Sequence, residues 1–364
     1  MSILDTVMSS QTAEALRNFD PHGQVMRYLQ KLPDRERQIL EARYGLLETE
    51  PATLENIGKK MGLTRERVRQ IEKAVLRRLQ SEALSPDLKQ GADLIYQILE
   101  EHGNVMREDR LLAVLLSPED SASGRARNAI IFILHLARGF NFLSDTDTQH
   151  RGWYLGGFDR DVFDRVVAAA KEALAESRVP IPAKDFFAKI RGKLGEDLRG
   201  LSEAAMESLL SISRIMDKNP FGQWGLLEWP SIRPHDVGDK AYLTLLHGGK
   251  PAHYGEITEA INKNSFDQRV AHKETVHNEL IRDKRFVLVG RGIYALAEWG
   301  FRPGVVADVI ADVLQKAARP LSRDEIITEV GKQRQVKRNT IIVGLSNRKR
   351  FQKTPDNKYL NADA

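Results

Sequence analysis

The strongest constraint on this chain is residues 54–79, which read LENIGKKMGLTRERVRQIEKAVLRRL. Two helical patterns meet there at Gly62 and Leu63. Thr64 can cap the second helix, because its hydroxyl can accept a hydrogen bond from a first-turn amide that has no partner within the helix. Apolar residues then recur at helical spacing and predict a buried stripe of Val68, Ile71, Val75 and Leu79. The segment therefore predicts two helices joined by a tight turn.

The second of these helices has a mostly basic outer surface. Its outward positions are predicted to be Arg65, Glu66, Arg69, Gln70, Lys73 and Arg77. Arginine can form two hydrogen bonds with guanine, glutamine can form two with adenine, and glutamate can accept one from cytosine. A helix–turn–helix whose second helix opens with these side chains has the chemistry needed to read base edges in a DNA major groove.

Together with LPDRERQILEARYGL at residues 32–46, this stretch resembles region 4 of the housekeeping sigma factors of bacterial RNA polymerase, the module that reads the promoter minus-35 element. The resemblance covers residues 25–82, and from Thr53 onward it follows the family pattern nearly residue by residue. The sigma region that binds the core enzyme and melts the minus-10 element has no visible counterpart. We therefore expect the chain to differ from an ordinary sigma factor.

The resemblance implies a role for each polar side chain of the helix–turn–helix. The implied base contacts are Arg65, Glu66 and Gln70. The implied phosphate contacts are Thr64, Arg67, Arg69, Lys73, Arg77, Arg43 and Lys59. The alternative is a solvated charged helix that is held by its own side-chain pairs. Because sigma region 4 also docks on the flap of the polymerase β subunit, the implied partners are promoter-like double-stranded DNA and RNA polymerase core.

A second basic segment lies near the carboxyl terminus. The formal net charge of the 364 residues is only +5, so the distribution of charge is more informative than its sum. Residues 332–353 contain eight basic and no acidic residues, and such a face attracts phosphates. The candidate residues of a second DNA face are Lys337, Arg338, Asn339, Arg348, Lys349 and Arg350. A solvated or protein-docking face is an equally favoured interpretation.

Beyond Pro86 one plan recurs four times, at a spacing of roughly 60 to 70 residues. Each repeat has three helices followed by two short strands, which is the pattern of a winged helix. Aromatic side chains in the strands, such as Trp153 and Trp224, can complete a core that three short helices do not close alone. The alternative is four unrelated small helical units.

The predicted fold class is therefore mainly α, a sigma region-4 helix–turn–helix followed by tandem winged helices with small β-hairpin wings. The predicted divisions are a lead-in at 1–23, the helix–turn–helix at 24–86, and winged helices at 91–157, 158–235, 236–299 and 300–364. A helix is also expected at Thr12 to Phe19 within the lead-in.

The third repeat carries a second resemblance. GGKPAHYGEITEAI, TVHNELIRD and RFVLVGRGIYALAEWG, within residues 236–299, are similar to the HARE-type helix–turn–helix. That domain occurs in chromatin regulators and restriction-associated proteins, and a related domain occurs in the delta subunit of RNA polymerase. The resemblance leaves open a DNA-targeting subunit of a restriction or phage-defence system.

Several classes of function are disfavoured by what the sequence lacks. With no cysteine, disulfides and thiolate metal sites are excluded. The nine histidines form no HExxH pattern, and no phosphate loop or nucleophile elbow is present. We therefore expect no enzyme, cofactor, metal or small-molecule substrate. No secretion signal or membrane span is recognisable, so a cytoplasmic, nucleoid-associated location is expected.

These patterns favour a sequence-specific transcription factor that reads a minus-35-like element and contacts RNA polymerase. An adaptor built from winged helices is the alternative from another class. Base-reading side chains at Arg65, Glu66 and Gln70 favour the DNA reader, because an adaptor has no use for them.

Overall fold

The computed structural model describes residues 12–48, 50–117, 124–267, 269–301, 306–333 and 338–362. The chain forms two compact units, residues 1–178 with 183–217 and residues 179–182 with 218–364. The division between them falls inside the predicted second winged helix. Within the described residues, no helix is both long enough and apolar enough to cross a bilayer.

A four-helix module follows a short helix at residues 12–17, which lies within the predicted Thr12–Phe19 segment. Its helices are α1 (Pro21–Leu29), α2 (Asp34–Tyr44), α3 (Leu54–Met61) and α4 (Arg65–Ser81). The predicted stripe of α4 is confirmed, since Val68, Val75 and Leu79 are buried and Ile71 is half-buried.

The turn between α3 and α4 depends on two glycines. Gly62 ends α3 in the left-handed region, with φ of 66°, where a side chain would be strained. Gly58 lies under the turn, and a Cβ there would be only 2.6 Å from the carbonyl oxygen of Leu63. The two helices therefore approach closely enough for Ile57 and Val68 to share a small core with Ile39.

Four winged-helix repeats follow. Winged helix 1 contains α5 (Pro86–Glu101), β1 (Val105–Arg107), α6 (Glu108–Leu115), α7 (Arg125–Leu136), β2 (Phe140–Leu143) and β3 (Gly152–Leu155). Winged helix 2 contains α8 (Arg160–Ser177), β4 (Ile181–Pro182), α9 (Ala183–Lys193), a 3-10 turn (Glu196–Leu198), α10 (Glu203–Ile212), β5 (Met216–Lys218) and β6 (Gln223–Leu226).

Winged helices 3 and 4 lie wholly in the second unit. Winged helix 3 contains α11 (Val237–Gly248), β7 (Ala252–His253), α12 (Tyr254–Asn264), α13 (Lys273–Arg282), β8 (Phe286–Gly290), β9 (Ile293–Leu296) and a 3-10 turn (Ala297–Trp299). Winged helix 4 contains α14 (Val306–Ala317), β10 (Leu321–Ser322), α15 (Arg323–Gln333), α16 (Arg338–Leu345), β11 (Phe351–Lys353) and β12 (Lys358–Asn361).

Every repeat has one three-stranded sheet with the same topology. The orders are β1-β3-β2, β4-β6-β5, β7-β9-β8 and β10-β12-β11, so the first strand always pairs with the last. The predicted hairpins are present, and the mainly helical fold class is confirmed. The sequence did not predict the first strand of each sheet, because two or three residues show no periodicity.

A continuous apolar core joins the four-helix module to winged helix 1. Val25, Leu29 and Leu40 belong to the same cluster as Phe132 and Ile133 of α7. The ring centroids of Tyr44 and Phe132 lie 4.9 Å apart in an edge-to-face arrangement. The predicted boundary at residues 86–91 therefore crosses a shared core, and the domain limits remain predictions.

The third helices of winged helices 1 and 2 are mostly buried. In α7 most side chains are buried, including Ala129, Phe132 and Leu136. Helix α10 packs on β1, where the Ser208 hydroxyl donates to the carbonyl oxygen of Val105. Because a helix must be exposed to enter a DNA groove, these two helices serve packing within the first unit.

The third helices of winged helices 3 and 4 bury only one side. Helix α13 buries Val276 and Leu280 against the core of its repeat. Helix α16 likewise buries Ile341 and Leu345. Their remaining surfaces are largely open, as in a winged helix that can meet a partner.

The shared core predicts that Phe132→Ala destabilises the four-helix module as well as winged helix 1. The cavity should cost about 3–5 kcal/mol of unfolding free energy. Amide hydrogen exchange should accelerate in α1 and in α7 together. The control is Phe142→Ala, because that side chain is 45% exposed and should cost only about 1 kcal/mol. Acceleration restricted to winged helix 1 would contradict the shared core.

Candidate nucleic-acid interface

Helix α4 begins with the predicted side-chain cap. The Thr64 hydroxyl accepts a hydrogen bond from the Arg67 amide at 3.2 Å, which confirms Thr64 as the N-cap. All of the predicted contact residues on the helix are exposed: Arg65, Glu66, Arg67, Arg69, Gln70, Lys73 and Arg77. The buried stripe lies on the opposite side, so α4 is fixed along one side and open along the other.

Two of the three implied base-contacting side chains are linked to each other and to neighbouring arginines. Arg69 donates to Glu66 twice, from Nε at 2.8 Å and from Nη2 at 2.7 Å. The Gln70 amide donates to Glu66 Oε1 at 3.3 Å and accepts from Arg67 Nη1 at 3.4 Å. These four side chains therefore form one hydrogen-bonded chain along the exposed surface.

The chain of hydrogen bonds stabilises the ionised form of Glu66. The hydrogen bond from Arg69 is the main cause that lowers the pKa of the Glu66 carboxyl to about 2. The positive charges of Arg69 and Arg65 and the hydrogen bond from Gln70 lower it further. Near neutral pH the side chain is therefore only a hydrogen-bond acceptor, as recognition of the cytosine amino group requires.

Three other cations on the same surface lie outside this hydrogen-bonded chain. Arg65, Lys73 and Arg77 make no ion pair or side-chain hydrogen bond within the part of the chain that the structure describes. Their charges are available to a phosphate backbone or, for Arg65, to a base edge. The open side of α4 thus combines a paired set of side chains with unpaired cations.

The two implied phosphate contacts outside α4 both have acidic partners. Arg43 Nε lies 3.2 Å from Glu72 of α4, and Arg43 Nη1 donates to the carbonyl oxygen of Ala52 at 3.4 Å. Arg43 thereby braces α2 against α4. Lys59 lies 2.8 Å from Glu55 one helical turn earlier, and both side chains are well exposed. The Glu72 partner is distant in sequence, so local spacing did not predict it.

Sequence reasoning missed the polar contacts that hold the carboxyl end of α4. The Gln80 amide donates to the carbonyl oxygen of His135 at 2.8 Å, and Arg138 Nε donates to the Gln80 carbonyl oxygen at 2.9 Å. A third link joins buried Asn128 to the Gly45 carbonyl oxygen at 3.0 Å. All three bonds run to winged helix 1: the first two hold the carboxyl end of α4, and the third holds the residue that ends α2.

The second basic face is divided between paired and unpaired cations. Lys337 lies outside the described residues. Arg338 pairs with Asp324 and Arg350 pairs with Asp308, each at 2.7 Å. The other candidates are exposed: Asn339, Arg348 and Lys349. Among the described residues, no side-chain partner is seen for Arg348 or Lys349.

This geometry defines a helix–turn–helix with an exposed, polar second helix. Residues 28–81 match the family model for region 4 of sigma-70. The RNA polymerase sigma factor RpoS of Coxiella burnetii (strain RSA 493 / Nine Mile phase I) is 41% identical over 81 residues, which are 21% of this chain and 23% of that protein. The match thus spans about a quarter of that relative's length.

The comparisons confirm the resemblance of the four-helix module to sigma region 4. The matched residues therefore resemble a DNA-binding region of RNA polymerase sigma factors. The HARE-type resemblance of residues 236–299 remains a prediction.

Proposed function

We propose that this chain is a sequence-specific transcription factor that reads a minus-35-like promoter element with α4. The observation that carries the proposal is the open side of that helix, where Arg65, Glu66 and Gln70 lie within its first two turns. Those turns are the part of a recognition helix that contacts base edges. We propose base contacts for these three residues.

Phosphate contacts follow from the same orientation. Lys73 and Arg77 lie about two and three turns along the open side, roughly 12 and 18 Å from Arg65 at 1.5 Å per residue. We propose that they hold the DNA backbone together with Thr64, whose position at the helix amino terminus favours an anion. Arg43 and Lys59 could join them only by exchanging their acidic partners for phosphate.

RNA polymerase is the proposed protein partner. The support is the similarity to a protein named an RNA polymerase sigma factor and the region-4 match at residues 28–81. We propose the β-subunit flap as the docking site, by analogy with sigma region 4. The protein would then act in the cytoplasm, on the nucleoid.

A second candidate function is a protein-interaction adaptor. The buried third helices α7 and α10 favour it for winged helices 1 and 2, because neither can enter a groove in this arrangement. The two roles are compatible if these repeats serve as a rigid mount for the DNA-reading module. Winged helix 4 could still provide a second DNA face through Arg348 and Lys349.

The base-reading proposal predicts that Arg65→Ala and Gln70→Ala each relax sequence preference at one base pair. Each should cost about 1–3 kcal/mol on the preferred site. Arg77→Ala should weaken all duplexes nearly equally, because a phosphate contact carries no sequence information. Competition binding against a randomised duplex library distinguishes these outcomes. An unchanged preference in Arg65→Ala would refute base reading by that residue.

The partner proposal predicts that the immobilised full chain retains core RNA polymerase. An excess of a free sigma factor that contains region 4 should release the polymerase if both use the β flap. The matched control is core RNA polymerase whose β subunit lacks the flap, and this enzyme should not be retained. Equal retention of the flap-deleted enzyme would place the contact elsewhere, and no retention of either enzyme would remove polymerase from the proposed partners.

The second-face proposal predicts weaker binding to long duplexes when Arg348 and Lys349 are both changed to alanine. Losing two phosphate contacts should reduce the slope of log K against log salt by roughly 2. The control is Lys171→Ala with Lys184→Ala, two exposed cations of winged helix 2. If both double variants behave like the parent at every salt concentration, the carboxyl-terminal basic segment is a solvated face.

A further inference from the structure

We infer that Arg69 is a positioning residue that sets the base specificity of Glu66, and that Arg67 acts in the same way on Gln70. The inference rests on the proposed function. It assigns both arginines a different role from the one that the family resemblance implies, which is phosphate binding. What carries it is the hydrogen-bonded chain of four side chains on the open surface of α4.

The contact between Arg69 and Glu66 fixes both the position and the plane of the Glu66 carboxylate. Two parallel hydrogen bonds, of 2.8 and 2.7 Å, join the planar guanidinium to both carboxylate oxygens. Such a fork holds the plane of the carboxylate as well as its position. A lysine at position 69 could supply the charge but not the second parallel bond, because its ammonium is a point charge.

The Glu66 carboxylate can still accept a hydrogen bond from a DNA base. A carboxylate offers about four acceptor positions. Three are used, by the two Arg69 donors and by the Gln70 amide. One position remains for a single donor, and the cytosine amino group is the base-edge donor that pairs with glutamate. Arg69 therefore aims the acceptor without saturating it.

The same chain orients the amide of Gln70. Its nitrogen faces Glu66 at 3.3 Å, and its oxygen faces Arg67 at 3.4 Å. Because a glutamine must present nitrogen and oxygen in a defined order to adenine N7 and N6, the neighbours on each side select one of the two amide orientations. Arg67 thus acts on recognition through Gln70, although its longer contact is the weaker of the two.

Helix α4 provides an internal control for this role. Arg77 lies on the same open side and makes no ion pair or side-chain hydrogen bond with any residue that the structure describes. Arg77→Lys and Arg69→Lys therefore make the same chemical change, with charge retained in both. Only Arg69→Lys removes a pair of parallel hydrogen bonds from a proposed base-reading side chain, Glu66.

The test measures base preference for the full chain and its variants by competition on a randomised duplex library. Glu66→Gln first identifies the base pair that Glu66 reads. At that pair we expect Arg69→Lys to reduce discrimination by roughly fivefold or more, the lower end of the range for one good base contact. Non-specific affinity and salt dependence should stay unchanged, because the charge is retained. Arg77→Lys should leave discrimination at that pair unchanged, because a phosphate contact carries no sequence information.

A double-mutant cycle separates positioning from an independent contact. If Arg69 acts through Glu66, the double variant Glu66→Gln, Arg69→Lys should discriminate no worse than Glu66→Gln alone. Additive losses, or a loss by Arg69→Lys at a different base pair, would show that Arg69 contacts DNA itself and would overturn the inference. Unchanged discrimination in Arg69→Lys would also overturn it.

A measurement without DNA keeps this inference distinct from the proposed function. NMR titration of the Glu66 carboxyl should give a pKa of about 2 in the parent chain, and that pKa should rise towards the ordinary value of 4.5 in Arg69→Ala. An ordinary pKa in the parent would remove the contact on which the inference stands. A parent chain with the low pKa but without any sequence preference would instead refute the proposed function.

Discussion

The apolar contact between α7 and the four-helix module is the interaction on which the rest of the first unit depends. The module's separate inner core contains only three fully buried side chains, Ile39, Ile57 and Val68. Small domains bury too little surface to be stable by a wide margin. The larger cluster, in which Leu29 packs with Phe132, supplies the missing burial. The four-helix module and winged helix 1 therefore form one structural body.

This arrangement has a functional consequence for α4. Val75 and Leu79 of its apolar stripe lie in the shared core, and its carboxyl end is held by Gln80 and Arg138. A helix held in this way loses little further freedom when it binds DNA, and the entropic cost of binding is correspondingly lower. Its open side remains polar and unobstructed, which is the combination that sequence-specific recognition needs.

The sequence predicted the features that depend on local spacing. The Thr64 cap follows from the chemistry of its hydroxyl and the stripe through Val68 and Val75 from helix periodicity, and both are present. The shared core depends on contacts distant in sequence, yet one signal for it exists. Helix α7 reads RARNAIIFILHL, and a helix that is apolar on nearly all sides is usually buried on all sides.

The interface itself was only partly predictable. Exposure of Arg65, Glu66 and Gln70 follows from their positions on the helix. The choice of Arg69 as the partner of Glu66 depends on side-chain rotamers, because Gln70 and Arg69 are both within reach at one-turn spacing. The bond between Arg43 and Glu72 depends on how α2 packs against α4, which no local pattern specifies.

The central claim is that the open side of α4 enters a DNA major groove. Dimethyl sulfate methylates guanine N7 in that groove, so methylation protection by the bound full chain tests the claim directly. We expect protection of guanines confined to one half-turn of a preferred site, and in Arg65→Ala we expect protection to be lost at the guanine that Arg65 contacts. Tight binding that leaves every guanine N7 reactive, or that protects only the minor-groove edges of adenines, would contradict the account.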